Sequence, residues 1–112
     1  MNPSEVSAQL AGLSRELGDA TAHLAVADEA AVRLRAAYDV AYARSWLKSE
    51  GPVEARKQLA VMQTAQERLD ADLATATVRG IQANIRQLGT RIDVGRSLNA
   101  AIRAEYVSNQ GV

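Results

Sequence analysis

The 112-residue sequence has no cysteine, no phenylalanine, one tryptophan, three tyrosines, one histidine and two prolines. Without cysteine there are no disulfides, no thiolate nucleophile and no zinc–thiolate centre, and the chain suits a reducing compartment. So few large rings leave little to fill a thick core. A lone imidazole, His23, has no second His or Cys to share a metal ion. No stretch approaches the ~20 apolar residues of a membrane span, and the first residues lack a basic-then-apolar leader pattern. These absences predict a soluble, cytoplasmic protein with no membrane partner. Neither sign of charge dominates either, with thirteen basic and thirteen acidic residues. That balance argues against a protein whose main task is coating nucleic acid, since such affinity comes from neutralising phosphates.

What the chain does have is alanine, 22 residues of it, together with Leu, Arg, Gln and Glu. These are the strongest helix formers, and small residues at regular spacing suit helices packed closely along their length. Asn2-Pro3-Ser4-Glu5 reads as an N-cap, a proline at the first helical position and a Glu that reaches back. Behind it runs a heptad stripe of Leu10, Leu17, Leu24, Ala31 and Tyr38 interleaved with Val6, Leu13, Ala20, Ala27, Leu34 and Ala41. Ser49-Glu50-Gly51-Pro52 is the one strong break, a C-terminal glycine followed by a proline. The rhythm resumes at Leu59, Met62, Leu69, Leu73 and Ala76, then shifts phase near Gly80. From there it follows Val78, Ile81, Ile85, Leu88, Ile92, Gly95, Asn99, Ile102 and Tyr106.

The spacing therefore predicts an all-α fold in a single helical domain: a long, coiled-coil-like antiparallel hairpin. Helix one spans about 3–49, the turn 50–52 and helix two about 53–106, with 107–112 frayed. At Gly80 two readings stand, a continuous helix with a local change of winding or a true break. Folding the chain at Gly51 puts Leu10 on Ile92, Leu13 on Leu88 and Leu17 on Ile85. It also lays the acidic start of helix one beside Arg79, Arg86, Arg91, Arg96 and Arg103, which are expected to pair with it, the alternative being a phosphate-binding stripe.

Two surfaces are candidates for function. At the hairpin tip Tyr42, Arg44, Trp46, Lys48, Arg56 and Lys57 gather cations around aromatic rings. Such a group can grip nucleic acid by phosphate contact and stacking, or it can pack over the turn and cap helix one. A second apolar stripe of Val26, Ala30, Ala37, Val40 and Leu47, with Val94, Leu98 and Ala101 on helix two, marks association. The expected partner there is a second copy, a dimer forming a helical bundle. No Ser-His-Asp set, Gly-rich phosphate loop or metal-ligand spacing occurs. Asp70 and Asp72, two apart on a helix, point different ways. No catalytic residue, cofactor, metal or small-molecule substrate is expected.

The segment Ala41-Tyr42-Ala43-Arg44-Ser45-Trp46-Leu47-Lys48-Ser49-Glu50-Gly51-Pro52-Val53-Glu54-Ala55-Arg56-Lys57, with Arg91-Ile92-Asp93-Val94-Gly95-Arg96-Ser97-Leu98, resembles small helical accessory proteins of tailed bacteriophages and prophages. Those share a Tyr-Leu-Lys-x-x-Gly-Thr-x-x-Glu-Arg-Lys turn and a late Arg-Ser-Leu segment. Here Pro52 stands where Thr is usual and Trp46 where Tyr is usual. The resemblance covers roughly residues 36–106 and carries over no catalytic residue. It implies a phage or prophage adaptor that binds a protein partner or a DNA replication or recombination complex. Direct nucleic-acid binding through the tip and inhibition of a host protein by a helix face are the alternatives. A likeness in length and form to the helical-hairpin substrates of type VII secretion lacks their motifs. Trp46-Leu47-Lys48 replaces Trp-x-Gly, and Gln110 stands four residues after Tyr106.

Overall fold

The computed structural model describes residues 2–110 and is an all-α helical hairpin. Helix α1 spans Pro3–Lys48, α2 Val53–Gln63 and α3 Ala65–Gln110. The start of α1 is the expected reciprocal cap. The Glu5 backbone N–H donates to Asn2 Oδ1 at 2.9 Å, and the Asn2 N–H donates to Glu5 Oε2 at 3.3 Å. Two donors that the helix cannot satisfy itself are thus occupied. The turn forms at residues 49–52, where Gly51 takes φ 104°, a left-handed conformation that a Cβ disfavours. Pro52 caps α2 from an extended conformation, and its carbonyl accepts the Arg56 N–H at 3.0 Å.

Helix two differs from expectation in where it breaks. It runs unbroken through Gly80 and is interrupted instead at Thr64. Thr64 is 3% exposed, so its hydroxyl must find a partner inside the protein. It donates to the Ala60 carbonyl at 2.6 Å, which also accepts the Thr64 backbone N–H at 3.1 Å. Thr64 itself takes φ −113° and ψ 16°, off helical values, while the Thr64 N–H still bonds to the Ala60 carbonyl and the Arg68 N–H to the Thr64 carbonyl. The C-terminal end also departs from the expected fraying, since α3 remains helical through Gln110; residues 111 and 112 lie outside the described residues.

The chain packs as two compact units, Met1–His23 with Ile81–Val112, and Leu24–Gly80. In the first unit Val6, Ala20, Leu88, Ile92 and Ile102 are buried, with Leu10, Leu13, Leu17, Ile81 and Ile85 half-buried between them. These are the residues of the expected stripes, but the register is shifted. Leu10 lies against Gly95, one helical turn beyond the expected Ile92.

In the second unit the buried positions are Ala31, Ala60, Thr64, Ala71 and Val78. Here the seam departs from the expected one on both arms. On α1 it steps from Ala31 to Arg35 instead of Leu34. Leu34 is left 37% exposed, while Arg35 turns inward and donates to Asp72 Oδ1 at 2.8 Å. A straight helix drifts against a strict seven-residue repeat, and a step of four absorbs the drift. On α2 and α3 the inward line is Ala60, Thr64, Glu67, Ala71 and Ala74. The larger Leu59, Met62, Leu69 and Leu73, expected inside, are 40%, 75%, 50% and 57% exposed. Alanine against alanine brings helices close; the leucines would hold them apart.

Five glycines interrupt these helices, and their surroundings differ. A Cβ at Gly18, Gly80 or Gly89 meets nothing within 4 Å, whereas one at Gly95 would lie 2.7 Å from Leu10 Cδ2. Each of Gly18→Ala, Gly80→Ala and Gly89→Ala should therefore gain up to about 1 kcal/mol of helix propensity, raising Tm by roughly 4 °C. Gly95→Ala should give none of this gain, because Leu10 must move first. Thermal melts of the four variants followed by circular dichroism check the ordering.

Candidate functional site

The tip of the second unit is built around the last turn of α1. The closing carbonyls of a helix have no partner within it, and the Trp46 carbonyl is one of these. It accepts the Ser49 hydroxyl at 2.9 Å and Arg56 Nη2 at 2.9 Å. The Arg56 guanidinium also lies over the Trp46 ring, 4.1 Å from its centroid. A delocalised, weakly hydrated cation is suited to such stacking, and its positive charge is favourable at a helix C-terminus. Arg56 Nε is buried without a hydrogen-bond partner.

The six tip residues singled out in the sequence therefore separate into groups. Trp46 and Arg56 hold each other and close the turn, so neither presents a free phosphate-binding group. Tyr42 is half-buried and packs against Tyr38, with ring centroids 6.2 Å apart. Arg44, Lys48 and Lys57 are exposed. Arg44 and Lys48 border a shallow cleft of about 240 Å³ that also reaches Glu67, whose Oε2 is buried without a partner. Ser45 closes one side of the cleft by donating its hydroxyl to Gln63 Oε1.

The stripe expected to mediate association is in water. Val26, Val40 and Leu47 are 70%, 53% and 81% exposed, and Ala30 and Ala37 are exposed between them. Val94, Leu98 and Ala101, also exposed, belong to the other unit. The outward line of Leu59, Met62, Leu69 and Leu73 was missed as a surface. Its heptad spacing is plain in the sequence, but spacing alone does not say which of two apolar lines faces the partner arm.

The charge pairing expected between α1 and the last arginines does not form. Among the described residues the ion pairs are Arg33–Glu29, Arg35–Asp72 and Arg68–Asp72, and Arg79, Arg86, Arg91, Arg96 and Arg103 make none. Long side chains on exposed faces gain too little from pairing to hold one geometry. Asp70 and Asp72 are occupied separately, Asp70 by the Gln66 amide at 2.9 Å and Asp72 by the two arginines. His23 is exposed, and no three His, Asp or Glu groups among the described residues lie together as a metal site. No helix among them is long and apolar enough to cross a membrane. No protein-family model matches the chain, and no curated protein or solved structure is significantly similar to it.

Proposed function

We propose that the chain is a non-enzymatic helical adaptor of the phage or prophage accessory kind. It binds a protein partner, or a replication or recombination complex, through outward helix faces. The observation that carries this reading is the pair of apolar lines that the second unit leaves in water, Val26–Val40–Leu47 on one arm and Leu59–Met62–Leu69–Leu73 on the other. Both follow helical spacing, which is how an amphipathic helix presents anchors to a groove or to another helix. Elongated apolar lines rimmed by polar residues often mark a surface of association. The resemblance of the tip to phage accessory proteins supplies the biological setting. Direct nucleic-acid binding has weaker support, since Arg56 is engaged by Trp46 and three exposed cations remain.

A tagged protein incubated with bacterial lysate, with and without nuclease, tests the proposal. Retention of one specific protein in both arms is the expected result, and Val40→Glu with Leu47→Glu should abolish it. Retention that disappears with nuclease would replace the adaptor reading with nucleic-acid binding through Arg44, Lys48 and Lys57.

A further inference from the structure

The two exposed lines of the second unit differ in chemistry. The α1 line, at positions 26, 30, 33, 37, 40, 44 and 47, is interrupted by Arg33 and Arg44. Paired with itself, it would set guanidinium groups against Val and Ala and strip them of water. The line on α2 and α3, at positions 59, 62, 66, 69, 73 and 76, reads Leu, Met, Gln, Leu, Leu, Ala and contains no charge. Its only polar member, Gln66, already donates to Asp70. The line crosses the interruption at Thr64, where the Thr64 N–H bonds to the Ala60 carbonyl and the Arg68 N–H to the Thr64 carbonyl. Its alternating steps of three and four are those of a coiled-coil seam.

We infer that this line is the interface with a second copy of the chain, the two lines packing antiparallel on each other. The inference deepens the adaptor reading, and it leaves the α1 line for the heterologous partner. An antiparallel seam sets Met62 against Leu73 of the second copy, Gln66 against Leu69 and Leu59 against Ala76. Every layer then meets apolar surface. The direction follows from charge. A parallel pair would bring two tips side by side, each carrying Arg44, Lys48, Arg56 and Lys57 against only Glu50 and Glu54, and so a net positive charge. The antiparallel pair instead places each tip beside the end of the other copy's unit that bears Asp28, Glu29, Arg33 and Arg79, where the charges balance.

Area sets the strength. Four side chains at these exposures leave on the order of 400 Å² of apolar surface in water. Two such lines with their flanks bury roughly 1,000 Å², the lower edge of specific interfaces. An interface of this size suits a weak dimer that forms and separates with concentration.

Light scattering and sedimentation of the full chain across concentrations test it. The mass should rise from 12.0 kDa towards twice that value, and Leu69→Glu with Leu73→Glu should hold it at one chain with helicity unchanged, both positions being exposed. Val40→Glu should leave the dimer intact. The chain has no cysteine of its own, so direction can be read by cross-linking. A mixture of Met62→Cys and Leu73→Cys proteins should form a mixed disulfide dimer, and Leu73→Cys alone should not. A single-chain mass at every concentration would overturn the inference while leaving adaptor function, read by lysate capture, standing. So would a dimer that survives Leu69→Glu with Leu73→Glu but is lost with Val40→Glu. Self-cross-linking of Leu73→Cys would overturn the antiparallel arrangement.

Discussion

Leu88→Ala should lower the unfolding free energy by about 3 kcal/mol, while Leu73→Ala, an identical change fifteen residues earlier on the same helix, should cost well under about 1 kcal/mol. Leu88 is 2% exposed, among Ile92 and the α1 leucines of the first unit. Its removal takes away apolar burial and leaves a cavity that two long helices cannot collapse around without shifting their register. Leu73 is 57% exposed, so little burial is lost and alanine returns a few tenths in helix propensity. Urea unfolding midpoints measure the difference. Amide exchange should localise it, with faster exchange over 3–23 and 81–110 in Leu88→Ala and no change in Leu73→Ala. Equal losses for the two variants would mean that Leu73 is covered in solution, which the antiparallel dimer does at high concentration. The comparison is therefore made in dilute protein.

The contrast between these two leucines shows where the sequence can be read and where it cannot. Helix content, the capped start at Asn2, the reversal after Lys48 and the seam from Val78 to Ile102 follow from spacing and capping chemistry that act within a few residues. In the first unit one line on each arm holds most of the large apolar residues, and that line is the one buried. The second unit offers two lines on α2 and α3, one of Leu and Met and one of Ala60, Thr64, Ala71 and Ala74. Hydrophobicity favours the first as the seam. The structure takes the second, since small residues let two helices approach closely and gain contact between their backbones within that unit. That decision belongs to the pair of helices, not to either alone, and the same holds for Arg35 and Asp72, which meet across it. Of the candidate site, the tip cations and the outward α1 line were legible as residues. That Arg56 turns back onto Trp46 was not, since stacking depends on the path of the turn.

That turn gives the second large effect. Arg56→Ala should cost about 2–3 kcal/mol, an unusual loss for a single arginine at a surface turn. Three contributions vanish together. The guanidinium no longer stacks on Trp46, a contact worth about 1 kcal/mol when partly desolvated. The Trp46 carbonyl loses one of its two donors, a charge-assisted bond worth roughly 1.5–3 kcal/mol before the return of water is counted. The aliphatic stem of Arg56 stops covering the indole. Arg56→Lys should recover only part, because an ammonium can reach the carbonyl but cannot lie flat on the ring while doing so. Lys57→Ala, at the exposed neighbouring position, should stay within about 0.5 kcal/mol of the parent. Trp46 is the only tryptophan, so its emission reports the tip directly. In Arg56→Ala the emission should move to longer wavelength under native conditions, and in Lys57→Ala it should not. If Arg56→Ala instead kept full stability and an unshifted emission while losing partner capture, the arginine would be a contact residue and the closing of the tip would rest on Gly51 and Pro52 alone.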